Sequence, residues 1–131
     1  MDIAITAAII IVLMLVMKFF MQKRAQKAHG KLINISLFND EIQNLLNGDK
    51  SILYFYTPTC SACKPQAVII DKLKNDIRLV GKVDLSENQN AVAEFGILGT
   101  PTIVIMKGNT VGKIFVGLKK YDFLKTEFEA V

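Results

Sequence analysis

Apolar side chains are distributed along this chain in two ways. From Ile3 to Met17 (IAITAAIIIVLMLVM) no position is charged and Thr6 is the only polar side chain, whereas from Lys31 onward short apolar runs alternate with helical patterns. At about 1.5 Å per residue the first run measures roughly 22 Å as a helix. Continued through Lys18 to Met21 it reaches roughly 28 Å, close to the ~30 Å hydrocarbon core of a bilayer. Lys18 can snorkel to the nearer interface, leaving Phe19 and Phe20 in the boundary layer. The run has no polar face, so it predicts a spanning anchor over residues 1–21 rather than an in-plane amphipathic helix or a buried core helix.

The remainder reads as one compact α/β unit. Leu32 to Ile35 predicts a weak strand. Ser36 or Asn39 can cap a helix whose Leu37, Ile42, Leu45 and Leu46 share a face, ending near Asn47-Gly48. Ser51 to Tyr56 (SILYFY) has no polar face and predicts a central strand covered on both sides. After Thr57-Pro58-Thr59 a helical pattern runs from Cys60 to about Asn75, with Val68, Ile69, Ile70 and Leu73 inward. Arg78 to Leu85 predicts a strand, Asn88 to Phe95 a helix stopped by Gly96, and Pro101 to Met106 a strand. Lys107 to Thr110 is a hairpin turn, Val111 to Val116 returns antiparallel, and Tyr121 to Ala130 is a closing helix. The order β-α-β-α-β-α-β-β-α predicts a mixed sheet with helices on both faces.

Length and charge sharpen this picture. With 131 residues there is room for one domain and one short extra element. The net charge of +4 has a single source: Lys18, Lys23, Arg24, Lys27 and Lys31 follow the apolar run with no acid among them. Removing those five from 16 basic residues leaves 11, and removing Asp2 from 12 acidic residues leaves 11, so positions 32–131 are neutral. Juxtamembrane basic residues contribute roughly 1 kcal/mol each against an anionic leaflet, which accounts for the cluster without nucleic acid. The positive-inside rule then places the C-terminal flank in the cytoplasm, predicting a single-pass cell-membrane protein, N-out and C-in. A cleaved secretory signal would need a basic segment before the apolar run and small residues after it, and the sequence has neither. Residues 22–31 read as a basic tether, with His29 a solvated residue rather than a metal ligand, and residues 32–131 as the domain.

Two cysteines are too few for a disulfide-stapled scaffold, so any cysteine chemistry uses Cys60 and Cys63. Their spacing, Cys60-Ser61-Ala62-Cys63, falls after the central strand and at the start of a helix. A helix N-terminus offers unpaired N–H groups and about half a positive charge, which favours thiolate over thiol. Cys63 comes around on the same side, where its sulfur can attack a mixed disulfide formed at Cys60. The same spacing also makes half of a zinc site or two inert buried cysteines. Zinc wants four ligands, and the chain supplies no further Cys and a single His.

Three blocks in order, ILYFYTPTCSACK, KVDLSEN and FGILGTPTIVIMKGNTVGKIFVG, give the chain a resemblance to the thioredoxin family over residues 32–131. The resemblance implies a thioredoxin fold, a central mixed sheet flanked by helices. It also implies a redox pair with Cys60 as nucleophile and Cys63 as resolving cysteine, and a cis Thr100-Pro101 bond facing the pair. Gly99 and Thr100 would offer backbone hydrogen bonds to an extended substrate segment, with Thr59 and Gly117 in the adjoining docking surface. X-Pro is the only peptide bond for which cis is cheap, about 0.5–1 kcal/mol.

The departures from the family pattern are specific. Thr59 stands where the family usually has Trp, and the chain has no Trp at all. Tyr54 takes the place of the buried acid that serves as proton acceptor for the second cysteine, and Tyr is a poor base near neutral pH. Lys82 occupies the position of the family's partner Lys, so Lys82 or a water takes on part of that task. Ser61-Ala62 replaces Gly-Pro between the cysteines, and Val68 replaces a kinking Pro while Pro65 lies nearer the site. The reading that follows is a membrane-tethered thiol-disulfide oxidoreductase with no organic cofactor or metal, favouring the reductase direction or electron transport to a membrane relay. Its partners would be disulfide-containing proteins at or near the membrane, a thiol electron donor or acceptor protein, and the bilayer through residues 3–21. Two other classes stay open: a non-catalytic client-docking domain, and a carrier holding Cu(I) on the two thiolates.

Overall fold

The computed structural model describes residues 2–26 and 29–131. Helix α1 (Ile3–Gln26) is long and apolar enough to cross a membrane, and the apolar window is not buried against the rest of the protein. Lys23 and Arg24 occupy its last turn, where cations complement the exposed carbonyls. The polar stretch expected as a helix extension or tether is helical as far as Gln26; Lys27 and Ala28 lie outside the described residues.

No strand forms at Leu32–Ile35, contrary to the sequence expectation. Leu32 makes an isolated bridge to Thr110, and Ile35–Leu37 is a single 3-10 turn. Asn34 is the physical reason: its Oδ1 accepts from Ser36 N at 3.2 Å and from Ser36 Oγ at 2.7 Å, a local bond that competes with an extended ladder. Helix α2 (Asp40–Leu46) starts at Asn39, whose Oδ1 accepts from Ile42 N at 3.0 Å. Ser36 therefore does not cap it, and Leu37 is turned outward at 37% exposure.

Four strands form one sheet in the order β2-β1-β3-β4, from β1 (Lys50–Tyr56), β2 (Val80–Asp84), β3 (Thr102–Lys107) and β4 (Thr110–Val116). β1 runs parallel to β2 and antiparallel to β3, and β3 pairs antiparallel with β4. Alternation along β1 serves two cores. Leu53 and Phe55 face the side covered by α2 and α4 (Gln89–Phe95), while Ile52 and Tyr54 face α3 (Cys63–Asp76) and α5 (Tyr121–Ala130). On β2 the backbone approaches α2 so closely that a Cβ at Gly81 would stand 2.7 Å from the tips of Ile42 and Leu45.

Helix α3 begins at Cys63 rather than Cys60. Its buried stripe is Cys63, Gln66, Ile70 and Leu73, spaced three and four residues apart as a 3.6-residue helix requires. Val68 falls on the opposite face and is 70% exposed, so the inward placement expected for it is corrected. Gly96 ends α4 in the left-handed conformation, φ +65°, its N–H donating to Val92 O.

Candidate active site

Three chain segments meet at one end of the sheet, where β1 ends and β3 begins. After Tyr56 the chain turns through Thr57-Pro58-Thr59, and Cys60 N donates to Thr57 O at 3.2 Å. Cys63 N then donates to Cys60 O, and Lys64 N to Ser61 O, each at 3.3 Å. These tight bonds form an opening turn that carries both cysteines on the N-terminal approach to α3. Pro65 falls in that first turn, where a missing N–H costs least.

Cys60 and Cys63 are joined as a disulfide, with Cα atoms 5.3 Å apart. The two sulfurs differ in access: Cys63 is buried at 4% exposure, whereas Cys60 is partly exposed beside the exposed Thr59. Across from them the Thr100-Pro101 bond is cis. The Cys60 sulfur lies 3.6 Å from Thr100 O, and Thr102 Oγ1 donates to Gly99 O at 2.6 Å. Gly117, at φ +89°, donates its N–H to Pro101 O at 2.8 Å. Gly99, Thr100, Pro101 and Gly117 are thus brought to the same place as the cysteine pair.

Beneath the pair, Tyr54 is 1% exposed and its hydroxyl donates to Cys63 O at 2.8 Å. Burial pushes the Tyr54 hydroxyl pKa up to about 12, with smaller contributions from Tyr56 and Asp71. Its ring stacks on Tyr56 with centroids 5.4 Å apart. Tyr54 therefore stays protonated across the physiological range and acts as a donor there. Lys82 is bonded to Asp71 and lines, with Tyr54, Tyr56, Cys60 and Cys63, an open cleft of about 250 Å³ beside the disulfide. A space of that size bordered by polar groups is large enough for water.

Sequence reasoning missed two residues here. Asp71 is the partner of Lys82, and nothing along the chain connects the eighth residue after Cys63 with a strand in another segment. Gln66 is fully buried and clamps the loop after β4: its Nε2 donates to Lys119 O at 3.1 Å, and its Oε1 accepts from Lys119 N at 2.7 Å. A signal for Gln66 existed, since a polar residue three after Cys63 falls on the same inward helical face. Among the described residues no cluster of His, Cys, Asp and Glu is arranged to hold a metal ion.

Comparison with known proteins agrees with this arrangement. The family model for thioredoxin matches residues 30–130. A thioredoxin of Alicyclobacillus acidocaldarius subsp. acidocaldarius is 26% identical over 101 residues, covering 74% of this chain and 96% of that protein. A thioredoxin of Bacillus subtilis is 29% identical over 75 residues, 54% of this chain and 71% of its own length. Among solved structures, a mutant thioredoxin from Halobacterium salinarum NRC-1 superposes with a TM-score of 0.66 at 26% identity, over 71% of this chain and 84% of that one.

Proposed function

The chain belongs to the thioredoxin family and is a thiol-disulfide oxidoreductase, and from that premise we propose that it works as a membrane-anchored reductase of protein disulfides. In the reduced protein, the Cys60 thiolate attacks one sulfur of a client disulfide. A Cys60–client mixed disulfide forms and the other client sulfur leaves as thiolate. Cys63, once deprotonated, attacks the Cys60 sulfur, releases the second client thiolate and closes the Cys60–Cys63 disulfide. Two electrons have passed to the client, and a thiol-bearing donor protein returns them by the same exchange in reverse.

The observation that supports these roles is the difference in access at one disulfide: Cys60 is open to a client and Cys63 is buried behind it. The opening turn of α3 presents its positive dipole end near Cys60, which favours the attacking thiolate. Gly99 and Thr100 offer backbone groups to an extended client segment, with Thr59, Pro101 and Gly117 framing it. Tyr54 holds the Cys63 carbonyl, and Lys82 places a cation on the cleft beside Cys63, where it favours loss of the thiol proton to water.

Anchoring rests on α1, which has the length and composition of a span and carries Lys23 and Arg24 at its domain-side end. With that flank in the cytoplasm, the compartment keeps thiols reduced and draws the exchange toward client reduction. Cys63→Ser is the decisive variant: it leaves Cys60 able to attack and removes the resolving thiol. A Cys60-linked client that is released by excess small-molecule thiol is expected. Absence of any such adduct, with client handling unchanged in Cys60→Ser, would make the domain a docking module.

A further inference from the structure

Helix α1 does not leave the domain at random. Gly30 N donates to Val111 O at the start of β4, and Gln22 Nε2 donates to Ile114 O midway along that strand at 3.1 Å. Met21 approaches Gly99, its methyl 4.0 Å from where a Cβ would be. Going back toward its N-terminus, α1 therefore climbs β4 in the direction in which β4 itself runs, toward Gly117 and the disulfide. The step from Ile114 to Gly117 is about 10 Å of strand, or about seven residues of helix, which sets Leu15 level with Gly117.

The apolar run of α1 continues beyond that level to Met21, alongside β4. A bilayer that covers the run must come up against the end of the domain that carries the cysteines. About 10 Å of apolar helix overlaps the domain there, and a headgroup layer is roughly 5–7 Å deep on each side. That end is suited to such contact. Leu98, Leu118 and Phe123 are exposed at 46%, 50% and 39%. An apolar cleft of about 1060 Å³ separates α1 from Phe115, Val116 and Phe123, with Lys18 and Lys119 on its border. Lys64 lines the cleft beside the cysteines, and Lys120 precedes α5, whose first turn holds the single acid Asp122, so the charge there suits anionic headgroups.

We propose that the active-site end of the domain rests on the headgroup layer, with Leu118, Lys119 and Phe123 as contact residues and lipid chains filling the cleft beside α1. This rests on the membrane-anchored reading and adds to it a class of client: membrane proteins whose disulfide lies at the lipid surface on the domain's side. A disulfide held well above that surface is out of reach of Cys60.

The absence of Trp from the chain supplies the test. Leu118→Trp and Phe123→Trp put a single reporter on the proposed contact, and Asn109→Trp puts one in the β3–β4 turn at the far end of the sheet. The full-length variants are reconstituted in anionic phospholipid vesicles containing lipids with nitroxide-labelled headgroups. Several-fold stronger quenching at positions 118 and 123 than at 109 is expected. Equal quenching at all three, in protein that floats with the vesicles and still exchanges disulfides, overturns the orientation and leaves the anchor standing. Protein that does not float with vesicles overturns both.

Discussion

Tyr54 and Cys63 are joined through the backbone rather than through the sulfur: the phenol donates to the Cys63 carbonyl at 2.8 Å from inside the core. Tyr54, expected to stand in place of the family's buried acid, is a structural donor to the turn that holds both cysteines. Tyr54→Phe removes a buried second hydrogen bond to a carbonyl that α3 already engages, a cost of about 0.5–1.5 kcal/mol, read as a lower midpoint in urea denaturation. The hydroxyl's pKa is about 12 in the folded protein against about 10 in the unfolded chain. The folded state thus holds this proton more tightly, and its contribution is full below pH ~10 and lost as pH rises toward ~12, by roughly 2 kcal/mol. The Tyr54→Phe protein is expected to lose correspondingly less stability than the parent over that window.

Gln66 makes a two-bond clamp on Lys119 from a fully buried position. Gln66→Leu keeps the volume and strands both the N–H and the C=O of Lys119. A loss of about 2–4 kcal/mol is expected in denaturation, with faster amide hydrogen exchange at 117–120 than elsewhere in the sheet.

Lys82 supports Cys63 only through charge at a cleft wall, so removing it should change the pH dependence of resolution more than stability. Lys82→Gln breaks an ion pair with Asp71 whose side chains are 33% and 62% exposed, a change of at most about 1 kcal/mol. In stopped-flow measurement of mixed-disulfide decay, the rate is expected to need a higher pH than in the parent. An unshifted profile would leave Lys82 as a solvated strand residue.

The direction of electron flow has a direct measure. Titrated against thiol-disulfide buffers, the Cys60–Cys63 pair is expected near the roughly −270 mV of a thioredoxin. A value nearer about −120 to −180 mV would mean an oxidant or isomerase and would contradict a cytoplasmic domain.

Most of the architecture could be read from the sequence because β1 and β3 are continuous apolar runs and Cys63, Ile70 and Leu73 of α3 follow a helical repeat. Errors fell where a local side-chain bond or a helix phase decided the outcome. Asn34 turned an expected strand into a 3-10 turn, the opening turn delayed the start of α3 to Cys63, and Val68 falls out of phase with Ile70 and Leu73. At the site, the cysteine spacing announces the chemistry within four residues. Asp71 and Gln66 could not be assigned the same way, because their partners Lys82 and Lys119 come from other segments and only tertiary packing brings them close. The placement of α1 beside β4 was likewise absent from the pattern, since an apolar helix with no polar face carries no record of which side it leans on.

The attachment of residues 30–33 to the turn and start of β4 has a mechanical meaning. Gly30 and Val111, Lys31 and Val111, and Ile33 and Asn109 are linked by backbone hydrogen bonds, and Gln22 adds a fourth tie to the same strand. A pull on α1 is therefore delivered along β4, where it loads the β3–β4 ladder in shear, with many bonds sharing the strain at once. β1, which ends at the cysteines, is separated from that load by β3. On the membrane-anchored reading proposed above, the protein would be towed through a fluid bilayer by its edge strand while the strand that aims the disulfide stays unloaded.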